Sequence, residues 1–306
     1  MPAIDAILGQ KFPVLDDGFI RVIDYLGADE SVVRAARISY GAGTRAIHED
    51  RGLIRYLMRH RHTTPFEMCE INFHVRVPMH TWRQWVRHRT ANVNEYSTRY
   101  SLAIDSVEAT LPDQWRYQKS GNRQGSEGQL PLDVGTSLSS REKQLHSLAR
   151  EVYEERIDKG VAREQARKDL PLSTYTEAYW KIDLWNLLHF LDLRMDQSAQ
   201  IEIRQYAETI AHNVLSKWVP LCWEAFVDFH IRAISLSAPE TQVLALLLNG
   251  RISDAETQMR ALGWLDWDDK KNQPKRNRER DEFFEKLRSN FNFSLDLLES
   301  TRSRQS

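Results

Sequence analysis

The sequence predicts an α+β fold, a central sheet packed by helices, on three observations. Residues 68–77, MCEINFHVRV, alternate: Ile71, Phe73, Val75 and Val77 point one way, and Glu70, Asn72, His74 and Arg76 the other. That is the period of a strand with one buried face. Residues 184–195 (LWNLLHFLDLRM) and 199–218 (AQIEIRQYAETIAHNVLSKW) carry apolar residues at helical spacing. The 306 residues are 41% hydrophobic and 10% aromatic, enough for a sizeable core in one large domain or a domain with an appendage.

Taken in order, residues 18–26 alternate as a strand, and residues 29–40 (DESVVRAARISY) open on a capping residue and continue as a helix. A helix is expected over 47–60. Pro78 ends the central strand, and residues 79–89 (MHTWRQWVRHR) read as a helix with Trp82, Trp85 and Val86 on one face. Asn92, Asn94, Ser97 and Thr98 favour turns and caps, so the chain is expected to leave that helix near Thr90 and loop. Residues 112–137 are a polar excursion. Helical patterns return at 141–159 and 162–168, and residues 170–180 (LPLSTYTEAYW) lean to β. After about residue 229 the texture changes to short helical pieces, 238–249 and 253–264, and a charged run, 270–288. These divide the chain into a domain over 1–229 and a helical, charged extension over 230–306, whose basic run reads as a solvated face or tail.

Composition excludes several functions. Lys plus Arg (42) and Asp plus Glu (43) give a formal charge of −1, so a basic surface for nucleic acid is not indicated and any anion site must be local. There is no apolar run of transmembrane length, and MPAIDAILGQKFP lacks the basic start and cleavage site of a secretory signal. With only Cys69 and Cys222, neither a disulfide framework nor a multi-cysteine metal site is expected, and a cytoplasmic location is. Neither cysteine has an activating flank, and no GxSxG, GxxxxGK[ST], GxGxxG or HExxH pattern occurs.

The densest chemistry lies in residues 87–100, RHRTANVNEYSTRY. Arg offers a bidentate fork and Ser a compact donor, so Ser97 and Arg99 suit a phosphate. Ordinary salt bridges to Glu95 explain the same composition. Asp183 opens a helix and Arg194 lies near its other end, both placements that the helix dipole favours. His189, on an apolar helix, reads first as a packed core histidine.

Arg87-His88-Arg89, seven residues, then Ser97-Thr98-Arg99 resembles the signature of the flavin-dependent thymidylate synthases. Collinear blocks resemble the same family: VVRAARISY (32–40), HTTPFE (62–67), RQWVRHR (83–89), ARKDLPLSTYT (166–176) and DLWNLLHFLDLRMDQSAQIEIRQYA (183–207). The likeness covers roughly residues 18–229. It implies a mostly antiparallel sheet packed by helices, and a homotetramer with shared active sites. It implies reductive methylation of dUMP to dTMP, with 5,10-methylenetetrahydrofolate as one-carbon donor, FAD as cofactor and NADPH as reductant. No cysteine nucleophile is used, in keeping with the flanks of Cys69 and Cys222. By motif position, Gln84, Arg87, Glu95, Tyr96, Ser97, Thr98, Arg99 and Arg167 are expected to bind dUMP. Arg194 is expected to stabilise the ionised N3 of the uracil. Thr64, Arg87, His88, Arg89, Glu95, Asp183, Trp185 and His189 fall at flavin-contacting positions, and His62 near flavin and folate. No metal is implied.

The chain departs from the pattern where Asp183, Trp185 and His189 replace the frequent Asn-x-Arg and Asn, and where Gln197-Ser198 replace Ser-His. Trp185 offers an aromatic face in place of a cation. Two other readings stay open at the level of sequence: a nucleotide- or flavin-binding paralogue without activity, and an RNA-binding protein using the RHR patch and basic tail.

Overall fold

The computed structural model describes residues 3–38, 50–119, 125–268, 270 and 273–291. The chain divides into two compact units at the Ile231–Arg232 junction. In the first, strands β1 (Lys11–Val14), β2 (Gly18–Leu26), β3 (Glu70–Pro78) and β4 (Asn92–Glu95) join β7 (Tyr175–Asp183) in one sheet of order β1-β2-β3-β7-β4. Every pairing is antiparallel. The sheet holds the expected strands with two additions: β1, where no strand was expected, and β4 at the opposite edge. Residues 92–95, expected in a loop, form its edge strand, because Asn92, Val93, Asn94 and Glu95 pair with Lys181, Trp180, Tyr179 and Ala178. Their turn propensity yields to the hydrogen bonds that β7 offers.

The alternation of β3 sets the layers. Ile71, Phe73, Val75 and Val77 face Ile182, Trp180, Ala178 and Thr176, and all eight are buried. The opposite face is polar: His74 Nε2 meets the Glu177 carboxylate at 2.6 Å, and Arg76 meets it at 3.6 Å.

Against the apolar face pack α1 (Asp29–Arg37), α2 (Asp50–Arg59), α3 (Thr64–Glu67), α4 (Met79–Trp85), α7 (Leu184–Arg194), α8 (Ile201–Thr209), α9 (Ser216–Trp218) and α10 (Pro220–Phe226). Residues 39, 40 and 47–49 of the expected helices lie outside the described residues. The helix expected over 199–218 widens to π turns over Ile210–Leu215 between α8 and α9. Asp29 does not cap its own helix. Its buried carboxylate instead accepts from Leu221 N and Cys222 N, both at 2.9 Å, at the start of α10. It satisfies two orphan donors of a distant helix, while burial raises its pKa.

The polar excursion is shorter than expected, because α5 (Leu132–Asp158) begins at residue 132. Before it, β5 (Tyr117–Gln118) and β6 (Ser126–Glu127) pair; residues 120–124 lie outside the described set. The segment is held down: Arg116 Nη2 donates to Glu202 Oε1 at 2.7 Å, and Trp115 Nε1 to Ser139 Oγ at 3.0 Å. The pattern at 162–168 becomes α6 (Arg163–Ala166) and a 3-10 turn, Arg167–Asp169.

The second unit holds α11 (Ala238–Leu248), α12 (Ile252–Ala261), the pair β8 (Trp267–Asp268) and β9 (Gln273–Pro274), and α13 (Arg278–Phe291). Val243, Met259, Trp264, Phe283 and Leu287 form its own core. The charged run is thus more than a solvated tail, since α13 buries Phe283 and Leu287.

Gly18 marks the tightest approach. A Cβ there would lie 1.9 Å from the Tyr206 hydroxyl, 2.6 Å from Val14 O and 2.9 Å from Arg76 O. Tyr206 OH donates to that same Arg76 carbonyl at 2.7 Å. Gly18→Ala is expected to destabilise the protein by about 1–3 kcal/mol in denaturant unfolding. Adding Tyr206→Phe recovers only part of the loss, because two of the three clashes are with backbone.

Candidate active site

The RHR stretch begins where α4 ends. Val86 follows the last helical residue and His88 N donates to Trp85 O at 2.9 Å, so Arg87 and Arg89 project from a turn. Both are exposed, and among the described residues their side chains make no ion pair or hydrogen bond. Among the described residues neither arginine bridges to Glu95. Glu95 accepts instead from Thr176 Oγ1 at 2.9 Å.

His88 between them is buried. Its ring lies 5.6 Å from Phe190 and 5.5 Å from His189, and its Nε2 is 3.1 Å from Thr90 Oγ1. Burial, then the neighbouring His189, holds its pKa below the ordinary imidazole value. The ring is neutral near pH 7. His189 itself is exposed, so the core-histidine reading is corrected: the apolar stripe of α7 runs through Leu187, Leu188, Phe190 and Leu191 and leaves His189 off it.

Asp183 is the N-cap of α7. Its Oδ1 accepts from Asn186 N at 2.9 Å and its Oδ2 from Asn186 Nδ2 at 2.7 Å. Trp185, partly buried, lies 5.9 Å from Phe66 on α3, the helix that Thr64 opens. His62 sits just before it. Arg61 takes a left-handed conformation (φ 57°), and His62 N and Arg61 N close back on Leu57 O and Met58 O at 3.0 and 3.1 Å. This is a Schellman end to α2 with arginine where glycine is usual. It turns His62 out, where its ring stacks at 5.9 Å on Tyr56.

Arg194, at the C-terminal end of α7, reaches α4: its Nη2 donates to Gln84 O at 3.2 Å. Its Nε is buried with no partner among the described residues. Burial lowers its pKa from the usual guanidinium value, although an arginine stays charged throughout the physiological range. Gln84 and Arg194 are therefore one unit, with His88 in electrostatic reach of Arg194, His189 and Asp183.

The remaining residues gather at the sheet edge. Tyr96 N donates to Glu177 O at 2.8 Å, and its hydroxyl to Leu102 O at 2.9 Å. Ser97 O then accepts from Tyr100 N and Ser101 N, at 3.2 and 3.1 Å, turning the chain. Arg167 Nη1 donates to Thr98 Oγ1, and Arg99 pairs with Glu164 at 3.3 Å, both more than half exposed. Within the described residues no hydrogen bond or ion pair joins the Ser97–Arg99–Arg167 group to the Gln84–Arg194–His88 group.

Neither thiol is available as a nucleophile. Both are fully buried; burial, then the charge of Asp29, pushes Cys69 up to about 12 and Cys222 well above the usual thiol value. No group of residues able to hold a metal ion occurs among the described residues, and none of their helices is long and apolar enough to cross a membrane. Motif reading missed His80 and Glu108. His80 bonds Glu108 and faces Gln200, which in turn bonds Gln84. The spacing of His80 and Gln84, four apart on one helix, was the available signal; nothing in the sequence points to Glu108.

Residues 21–221 match the family model described as thymidylate synthase complementing protein. The chain is 49% identical over 247 residues to a flavin-dependent thymidylate synthase of Wolbachia pipientis wMel, covering 81% of this chain and 87% of that one. It is 49% identical over 251 residues to that of Gluconobacter oxydans (strain 621H), covering 81% and 82%. Among solved structures it resembles a UMP/dUMP methylase PolB from Streptomyces cacaoi bound with 5-Br dUMP, at TM-score 0.64 and 32% identity over 72% of this chain and 98% of that one. The PolB structure bound with 5-Br UMP matches at TM-score 0.63 and 34% identity, over 71% and 96%. With the sheet, the α4–α7 junction and the buried thiols already described, these matches establish that the chain belongs to the flavin-dependent thymidylate synthase family.

Proposed function

We propose that the chain methylates dUMP to dTMP, taking the one-carbon unit from 5,10-methylenetetrahydrofolate and reducing equivalents from NADPH, with FAD as cofactor. The carrying observation is Arg194, whose buried Nε has no partner among the described residues while Gln84 O holds its Nη2 at 3.2 Å. A fixed cation with an unused donor suits an anionic ligand. Beside the uracil it favours ionisation at N3 and raises electron density at C5, where the new carbon attaches. In a partly dry pocket such a group contributes several kcal/mol, as an order of magnitude. Ser97, Arg99 and Arg167 offer hydroxyl and guanidinium donors for the phosphate, with Tyr96 and Thr98 framing their turn and Glu95 and Gln84 completing the nucleotide set.

The donor set also fits a flavin dinucleotide. Arg87 and Arg89 present exposed guanidinium groups with no carboxylate partner among the described residues, suited to a pyrophosphate. Trp185 and the neutral His88 offer ring surface, with Thr64, His62, Asp183 and His189 along the same helix ends. Bound FAD supplies the hydride that NADPH delivers to it. The scatter of these motifs over several elements agrees with a homotetramer in which copies complete each other's sites. We assign catalysis to residues 1–229, with 230–306 as an extension, and place the protein in the cytoplasm.

Purified protein should show an oxidised-flavin absorbance spectrum that dUMP perturbs. It should release tritium from C5-labelled dUMP only when folate and NADPH are both present. A colourless, inactive protein would sink the reading. Arg194→Ala should lower kcat roughly 10²-fold or more with flavin retained; near wild-type turnover would remove Arg194 from N3 activation. Ser97→Ala should act mainly on the dUMP KM, by roughly tenfold, and near-abolition of kcat would give Ser97 a catalytic part instead.

A further inference from the structure

His80 and Gln84 lie four residues apart on α4, so their side chains share one face. Gln200, the residue before α8, reaches between them. Its Oε1 accepts from Gln84 Nε2, and its Nε2 lies 3.3 Å from His80 Nδ1. The other ring nitrogen, His80 Nε2, bonds the Glu108 carboxylate. Glu108 is fixed in turn: its N–H donates to Ser173 O at 2.9 Å, next to the bridge between Val107 and Thr174.

Four groups thus form a line: Glu108, His80, Gln200, Gln84. An ionised carboxylate only accepts, so His80 Nε2 carries its hydrogen in either protonation state and Nδ1 is the end that varies. With His80 neutral, Nδ1 accepts from the Gln200 NH₂, Gln200 Oε1 accepts from the Gln84 NH₂, and Gln84 is left with Oε1 outward. With His80 charged, Nδ1–H must donate, and it faces the Gln200 amide at 3.3 Å and the Thr81 hydroxyl at 3.4 Å; the relay takes the Gln200 branch. Both amides then reverse, and Gln84 turns its NH₂ outward. The reversal keeps the shape, since amide oxygen and nitrogen are nearly isosteric.

We propose that His80, held by Glu108, is a positioning residue that sets, through Gln200, which end of the Gln84 carboxamide faces the nucleotide. The inference rests on the reading that Gln84 contacts dUMP.

The groups facing the line make both states accessible. Glu202, on α8, draws the Gln200 amide and is paired with Arg116 at 2.7 Å. It favours the first arrangement, so the second needs the His80 proton. Burial opposes that proton, but the hydrogen bond and charge of Glu108, with the charges of Glu202 and of Glu142 on α5, outweigh it and raise the His80 pKa. Glu108, Arg116 and Glu202 also line a cavity of about 600 Å³. An anionic nucleotide prefers a donor to an acceptor. Its affinity should therefore be higher below the His80 pKa and fall as pH rises through it.

The test is calorimetric titration of dUMP into the FAD-loaded protein at steps from roughly pH 6 to 9. Wild type should show a dissociation constant that rises roughly three- to tenfold through one ionisation. His80→Phe should lack that step. Glu108→Gln keeps the ring and should move the step to lower pH, and bound flavin reports that each variant is folded. Ionisation of the dUMP phosphate is common to all three proteins and cancels in the comparison. Superimposable profiles with dUMP bound would overturn the relay alone. Absence of dUMP binding by wild type would overturn the proposed function and the relay together.

Discussion

The packing of Trp85 is the constraint on which the rest of the site depends. Its fully buried indole meets Trp180 of β7 and Phe190 of α7 at 5.0 Å each, Tyr206 of α8 at 5.7 Å and Trp82 of its own helix at 5.8 Å. A seven-residue helix is marginal by itself, so α4 owes its place to this cluster. Aromatic pairs at these separations add about 0.5–1.5 kcal/mol each beyond their buried area. Gln84 precedes Trp85 and His88 follows it by three residues, with His88 N bonded to Trp85 O. Locking the indole therefore orients the residues on either side of it, one toward Gln200 and the other against Phe190.

On that frame the protein maintains unbalanced positive charge. Arg194 is held by a backbone carbonyl rather than a carboxylate, with one buried donor unused. A buried donor left unpaired costs about 1–3 kcal/mol, and the favourable dipole at the end of α7 offsets part of that. A carboxylate partner would make Arg194 more comfortable and less useful to an anion. Arg99 is treated differently: its exposed contact with Glu164 is a weak one that a phosphate can displace. The two kinds of arginine suit different tasks, one a fixed field and the other a recruitable fork.

The buried Asp29 illustrates the opposite economy. Its carboxylate is satisfied by two backbone donors of α10 and lies close enough to both cysteines to raise their pKa values. It ties α1 to α10 and adds to the burial that keeps the thiols protonated. Under the proposed function positive charge stands where ligands would be held, while burial, with the charge of Asp29 added, keeps the sulfur atoms inert.

The alternation of β3, the helical stripes of α4 and α7 and the RHR–Ser-x-Arg spacing were legible in the sequence, because each is a local pattern of side-chain character. So were the cap at Asp183 and the unpromising cysteines. The edge strand at 92–95, the exposure of His189, the service of Asp29 to another helix and the link from Gln84 to Glu108 were not. Each depends on which distant backbone or side chain arrives alongside: β7 supplies the bonds that make a strand of turn-forming residues, and α8 carries Gln200 between two residues of α4. The sequence by itself determined which residues are apolar, which are charged and at what period, and through them the α+β class and the family. Only the tertiary structure decided which charges go unpaired and which amides join hands, because hydrogen bonds are short and directional and exist only where the fold brings remote atoms within about 3 Å.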